Sequence, residues 1–302
     1  MLYLNLAKQG ENTWWRYLLG IITILIMWQG IGAIPLVALL QMIESDGNEA
    51  TFFNAETLEL EGVNPAIAFV VFIFAFLPML LGLSLVIKFF HKRLFRSLIT
   101  GALQIDWKRI LQSMGIYLAI FLAINLVDIV LFPNNYKFTF QMERFLLFLP
   151  LVLLLIPIQA AAEELLFRGY IMQGLGLVMN KWLAVMLSSL LFALPHLFNP
   201  ETQASPFMAL SALFIMGLFL ALITVREGTL ELAIGVHVAN NIASFLLIAP
   251  SDTFAGIPVP AVFSSTVDMF GWKPILMVIL ALVLFWLIVF KWFPRRQEIS
   301  NV

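Results

Sequence analysis

Residues 145–179 read FLLFLPLVLLLIPIQAAAEELLFRGYIMQGLGLVM, an apolar run that continues straight through a pair of carboxylates. A helix of about 20 mostly apolar residues suffices to cross the roughly 30 Å hydrocarbon core of a bilayer. This run is longer than that, contains Pro150 and Pro157, and carries Glu163 and Glu164 well inside it. An ionisable group in such a segment is costly unless paired or hydrated, so it marks a functional position by default.

Outward from this stretch the same texture repeats. Apolar blocks cover 17–42, 65–90, 110–132, 145–162, 182–198, 207–225, 229–249 and 274–293, which predicts about eight transmembrane helices. The composition agrees: 62% of the 302 residues are hydrophobic and 12% charged, against about 45–50% apolar and about 25% charged in soluble domains. With no water in the bilayer core, backbone groups must bond within each segment, so the expected fold is all-α and polytopic. The first block is too long for a signal-peptide core and lacks a small-residue cleavage site, so it reads as a retained helix. The absence of cysteine excludes disulfides, thiolate ligands and a cysteine nucleophile.

Charge sets an expected orientation. With the N-terminus inside, 14 of the 17 Lys and Arg residues fall at cytoplasmic ends, Arg295 and Arg296 among them, and only Lys137, Arg144 and Lys273 fall outside. Positive residues favour the cytoplasmic side, so both termini are expected there, in the cell membrane. The opposite side holds Glu44, Asp46, Glu49, Glu56, Glu59 and Glu61, with no Lys or Arg in 43–64. The chain divides into N-terminal helices with this acidic loop (1–143), a core carrying the chemistry (144–250), and an external loop with a last helix (251–302). His91, beside Lys92 and Arg93, reads as a solvated interface residue.

Three polar islands stand out in the core: Glu163-Glu164-Leu165-Leu166-Phe167-Arg168-Gly169, then Phe192-Ala193-Leu194-Pro195-His196, then His237-Val238-Ala239-Asn240-Asn241. Residues four apart share a helix face. Glu164 and Arg168 can therefore pair, leaving Glu163 aimed elsewhere, and His237 shares a face with Asn241. With Asn180 as the turn of a helical hairpin, Glu163 lies 17 residues before it and His196 16 after. At 1.5 Å per residue the two reach nearly equal depth on adjacent helices. A buried carboxylate beside an imidazole suits water activation, and His237 with Asn241 can donate to a tetrahedral oxyanion. Zinc held by Glu163, His196 and His237 is the alternative chemistry. Each island also has a structural reading: a Glu164–Arg168 ion pair, a cap at the Pro195 kink, and interhelical hydrogen bonding by His237 and Asn241.

The Glu-Glu-x-x-x-Arg, Phe-x-x-x-His and His-x-x-x-Asn trio, in this order within helices, resembles the CAAX-processing and bacteriocin-immunity group of intramembrane endopeptidases, related to the eukaryotic Ras-converting protease. The likeness covers roughly 145–250. It implies that Glu163 and His196 activate water, that His237 and Asn241 form the oxyanion site, and that Glu164 and Arg168 support the first motif. Members are commonly described as metalloproteases, and a metal-free glutamate mechanism has also been argued. With only one strong anion in the Glu-His-His-Asn set, glutamate and water without a cofactor is the favoured reading here. The expected partners are a membrane-associated protein or peptide substrate and the lipid bilayer, not nucleic acid. His-Glu-x-x-His, Gly-x-Ser-Gly and Gly-x-Gly-Asp motifs are all absent from the sequence. The competing functions are a non-catalytic membrane immunity or assembly partner, and a proton-coupled transporter relaying through Glu163, Glu164 and His196.

Overall fold

A long apolar chain that must satisfy its backbone internally becomes helical wherever it is long enough, and the computed structural model follows that rule. It describes residues 3–54, 59–199, 202–203, 205–249, 253–254, 257–268 and 270–293. Glu56, Arg295 and Arg296 lie outside the described residues. Seven helices are long and apolar enough to cross a membrane: α1 (Trp14–Ser45), α2 (Pro65–Phe90), α3 (Trp107–Leu131), α4 (Met142–Val178), α5 (Lys181–Phe198), α6 (Pro206–Glu227) and α8 (Trp272–Trp292). Much of their surface is apolar and open, as at Val130 and Leu154, which are 79% and 64% exposed. Such faces require lipid around them. The chain is an integral helical membrane protein.

The eighth expected span differs. Residues 229–249 yield α7 (Glu231–Leu246), only 16 residues long, shorter than a perpendicular crossing needs. Its apolar character has another cause: 12 of the 16 residues are buried, so α7 faces protein rather than lipid. Gly235 permits this. A Cβ there would lie 1.9 Å from Ser113 Oγ and 2.3 Å from the Ile110 carbonyl of α3, so only glycine lets the two helices touch. Close approach through small residues is how helices associate where lipid removes the hydrophobic driving force.

Local chemistry fixes the helix ends that matter for the site. Asn180 caps α5, its side chain accepting from the Trp182 and Leu183 amides, which makes it the hairpin turn that the spacing predicts. The far end of α5 tightens into a 3-10 turn, Leu194–Phe198, at Pro195. Gly228, at φ 83°, closes α6 in the left-handed region that glycine adopts without a Cβ penalty. In α4, Pro150 and Pro157 lie inside the helix, and residues Leu165–Met172 wind as a π-helical stretch. Such stretches are uncommon and cluster at functional sites. This one starts directly after Glu164.

Short strands cover the loops. β1 (Phe52–Asn54) pairs antiparallel with β2 (Glu59–Glu61). β3 (Tyr136–Phe138) is antiparallel to β7 (Phe263–Ser265), which also runs parallel to β4 (Ile248–Ala249). β5 (Thr253–Phe254) and β6 (Ile257–Pro258) form a small hairpin.

His91 corrects the sequence reading. It is fully buried, with Nδ1 2.8 Å from the Glu11 carbonyl and Nε2 3.0 Å from Tyr170 Oη. The segment before α1 covers it: Tyr3 is buried and donates to the Leu98 carbonyl at 2.5 Å, and Glu11 reaches back to Lys92 and Arg16. Burial holds the His91 imidazole below its ordinary pKa, because desolvation disfavours the charged form.

Candidate active site

Glu163 and Glu164 are adjacent on α4 and therefore point in different directions. Glu164 turns into the bundle, where Arg168 Nη1, one turn on, meets its Oε1 at 2.8 Å, both side chains fully buried. Arg168 also donates through Nη2 to the Gly217 carbonyl at 3.0 Å, and its guanidinium lies 4.3 Å over the ring of Phe192. The i, i+4 pair read from the sequence is thus an anchored fork joining α4, α5 and α6.

Glu163 turns the other way, onto the wall of a cavity of about 950 Å³. The polar wall includes Gln159, Glu163, His196, His237, Asn240 and Asn241, while Trp28, Phe72, Phe76 and Phe245 make much of the rest apolar. The four site residues expected from the sequence therefore share one chamber. Glu163 is 5% exposed, and its Oε2 is buried with no hydrogen-bond partner among the described residues. Buried polar atoms are normally satisfied, so an orphan carboxylate oxygen on a cavity wall requires a functional reason.

The structure allots the histidines differently from the expectation. The imidazole beside Glu163 is that of His237 on α7, its Nε2 3.6 Å from Glu163 Oε2 and its Nδ1 2.8 Å from Glu164 Oε1. A carboxylate held by Arg168 accepts hydrogen bonds, so His237 Nδ1 donates and the tautomer is set. Spacing had given His237 to the oxyanion together with Asn241. Here both ring nitrogens face carboxylates, because α7 packs its His237 face directly on the carboxylate turn of α4.

His196 stands apart. Its Nδ1 is 2.9 Å from the Phe192 carbonyl; a carbonyl only accepts, so Nδ1 donates and Nε2 keeps a free lone pair. His196 lines the same chamber as Glu163 nonetheless. Phe192 packs its ring on Phe167, His196 and His237, at centroid distances of 5.5, 5.0 and 5.7 Å. One aromatic side chain thus fixes the rims of all three motifs. Asn241 donates through Nδ2 to Gln159 Oε1 at 3.0 Å, and Asn240 joins Asn241 Oδ1 to the Tyr117 hydroxyl. Gln159 and Tyr117 escaped the sequence reading, and Asn240 was given no role within its island, since a neutral amide or phenol in an apolar run raises no charge signal. Gln159 lies one turn before Glu163, and that spacing was the available clue.

A zinc site needs three protein ligands around one point. Among the described residues no three His, Cys, Asp or Glu side chains are placed to hold a metal ion. With Nδ1 donating to Glu164, His237 Nε2 keeps its lone pair 3.6 Å from Glu163 Oε2, and His196 is not placed with these two as a third ligand.

Comparison with known proteins points to the same stretch of the chain. Over 260 residues the chain is 29% identical to the uncharacterized protein YyaK of Bacillus subtilis (strain 168), covering 85% of each chain. No solved structure matches. Residues 143–243, which carry all three motifs, match the family model described as type II CAAX prenyl endopeptidase Rce1-like. The likeness to the Rce1-like CAAX protease family thus spans the residues that build the site.

Proposed function

We propose that this protein is an intramembrane endopeptidase of the CAAX type that hydrolyses membrane-associated proteins or peptides with a glutamate-activated water. The observation that carries the reading is Glu163 Oε2, buried without a hydrogen-bond donor among the described residues on the wall of a largely apolar chamber, with His237 Nε2 3.6 Å away. Water bound between Glu163 and His196 Nε2 loses a proton to the carboxylate as its oxygen attacks the scissile carbonyl carbon. Asn241 donates to the oxygen that becomes negative. Glu163 then passes its proton to the amine nitrogen as the C–N bond breaks, leaving an amine and a carboxylic acid that gives its remaining proton to water. His237, fixed by Glu164 and Arg168, stands with its Nε2 3.6 Å from Glu163 Oε2. The apolar walls suit a segment or lipid-modified end that a water-filled cleft would not hold.

This chemistry requires no metal ion. A peptide with a prenylated CAAX terminus, the substrate group in the family description, is the first probe. Activity in lipid vesicles is expected to survive exhaustive chelation, and His196→Ala is expected to cost more than Asn241→Ala, since losing one oxyanion donor costs about 10²–10³ in rate. Zinc catalysis would show the opposite: chelation silences the wild type, added metal restores it, and His237→Ala is as damaging as His196→Ala.

The same proposal sets both termini in the cytoplasm, which needs the short, protein-buried α7 to make an eighth pass beside the seven long helices, and puts Asn54 outside, following the charge asymmetry. The native chain contains no cysteine, so a single cysteine at Asn54 is a unique probe. A membrane-impermeant thiol reagent is expected to label it on intact cells; labelling only after permeabilisation would reverse the orientation.

A further inference from the structure

The amides beside Glu163 form a chain in which every donor points the same way. Tyr117 Oη donates to Asn240 Oδ1 at 3.1 Å. Asn240 Nδ2 donates to Asn241 Oδ1 at 3.2 Å, and Asn241 Nδ2 donates to Gln159 Oε1 at 3.0 Å. The series starts at the hydroxyl of Tyr117, a residue 1% exposed, and ends at Gln159 Nε2. Gln159 is 8% exposed and lines the chamber. Its Nε2 has no hydrogen-bond partner among the described residues, and it is absent from the fully enclosed orphan atoms. Both its hydrogens are therefore offered to the cavity, one helical turn from Glu163. Aligned hydrogen bonds polarise one another, which makes the terminal amide a stronger donor than an isolated one.

We infer that Gln159 is a catalytic residue: its Nε2–H donates to the carbonyl oxygen of the scissile bond and, together with the second Nδ2 hydrogen of Asn241, holds the oxyanion. This rests on the protease reading above and fills the place that His237 leaves empty. A donor fixed before reaction, aimed where charge develops, stabilises the transition state more than the bound substrate. Tyr117 and Asn240 act through Asn241 and Gln159 as positioning residues.

The test uses full-length protein in lipid vesicles and, as probe, the precursor that accumulates in membranes of cells carrying Glu163→Ala. Gln159→Glu keeps an oxygen that accepts from Asn241 but removes the donor. Gln159→Leu removes the donor without adding charge. The feature that both lack is the amide N–H. Each is expected to lower kcat about 10²–10³-fold, with KM within about threefold of wild type, while the variant protein still captures the precursor. If either variant turns the precursor over at a near wild-type rate, Gln159 is not the oxyanion donor. Failure to capture the precursor would make Gln159 a binding or folding residue, which also overturns the inference. If Glu163→Ala accumulates nothing, the protease reading itself falls, a result distinct from both.

Discussion

Glu163→Gln is expected to remove peptide cleavage, lowering kcat by about 10⁴-fold, the upper end of what a positioned general base contributes. The substitution keeps the shape of the side chain and so leaves the chamber intact. A carboxamide can neither take the water proton nor return one to the leaving amine. Glu163 Oε2 has no hydrogen-bond donor among the described residues, so the exchange removes no hydrogen bond from that oxygen. Stability is therefore expected to stay at the wild-type value or rise, since a desolvated charge has been removed. Rates of probe cleavage and denaturation midpoints, measured on the same preparations, separate the two effects. Full stability with lost turnover is the predicted combination. Retained turnover would move the chemistry to another residue.

Arg168→Leu is expected to act on stability first. Arg168 and Glu164 are both fully buried, and removing one partner of a buried ion pair costs about 3–5 kcal/mol, because the remaining charge is left uncompensated. The change also frees the Gly217 carbonyl and strips the cation from the face of Phe192. Arg168→Lys keeps the charge but not the fork, so its cost is expected to be smaller yet clear. The double variant Glu164→Gln with Arg168→Leu is expected to be more stable than Arg168→Leu alone, as no charge is then orphaned. Denaturation of detergent-purified protein and the amount of folded protein in membranes check the order. A single variant as stable as wild type would show that the pair does not hold α4, α5 and α6 together.

Much of this arrangement was legible because membranes impose strong rules on sequence. Apolar length marks helices, and i, i+4 spacing correctly paired Glu164 with Arg168. Counting residues from Asn180 paired Glu163 with His196 across one hairpin, and both line one chamber. The reading ran short where a contact depends on which helices become neighbours. His237 meets Glu164 across a separation of 73 residues, and no local period encodes the packing of α7 on α4. For the same reason α7 read as a lipid-facing span: burial by protein and burial by lipid leave the same apolar composition. His91 read as solvated because its flanks are basic, whereas the segment around Tyr3 and Glu11 folds over it. Gln159 was invisible for a chemical reason, since an uncharged amide costs too little in an apolar helix to stand out.

The central claim is that Glu163 powers cleavage of a membrane-associated substrate, and comparing membrane peptides between cells carrying wild-type protein and cells carrying Glu163→Ala tests it most directly. The expected result is one or a few intact precursors that accumulate only with the variant, together with matching cleavage products found only with wild type. Their cut sites would identify the substrate and place the scissile bond near the membrane. Identical peptide profiles from the two, at equal levels of folded protein, would contradict the claim.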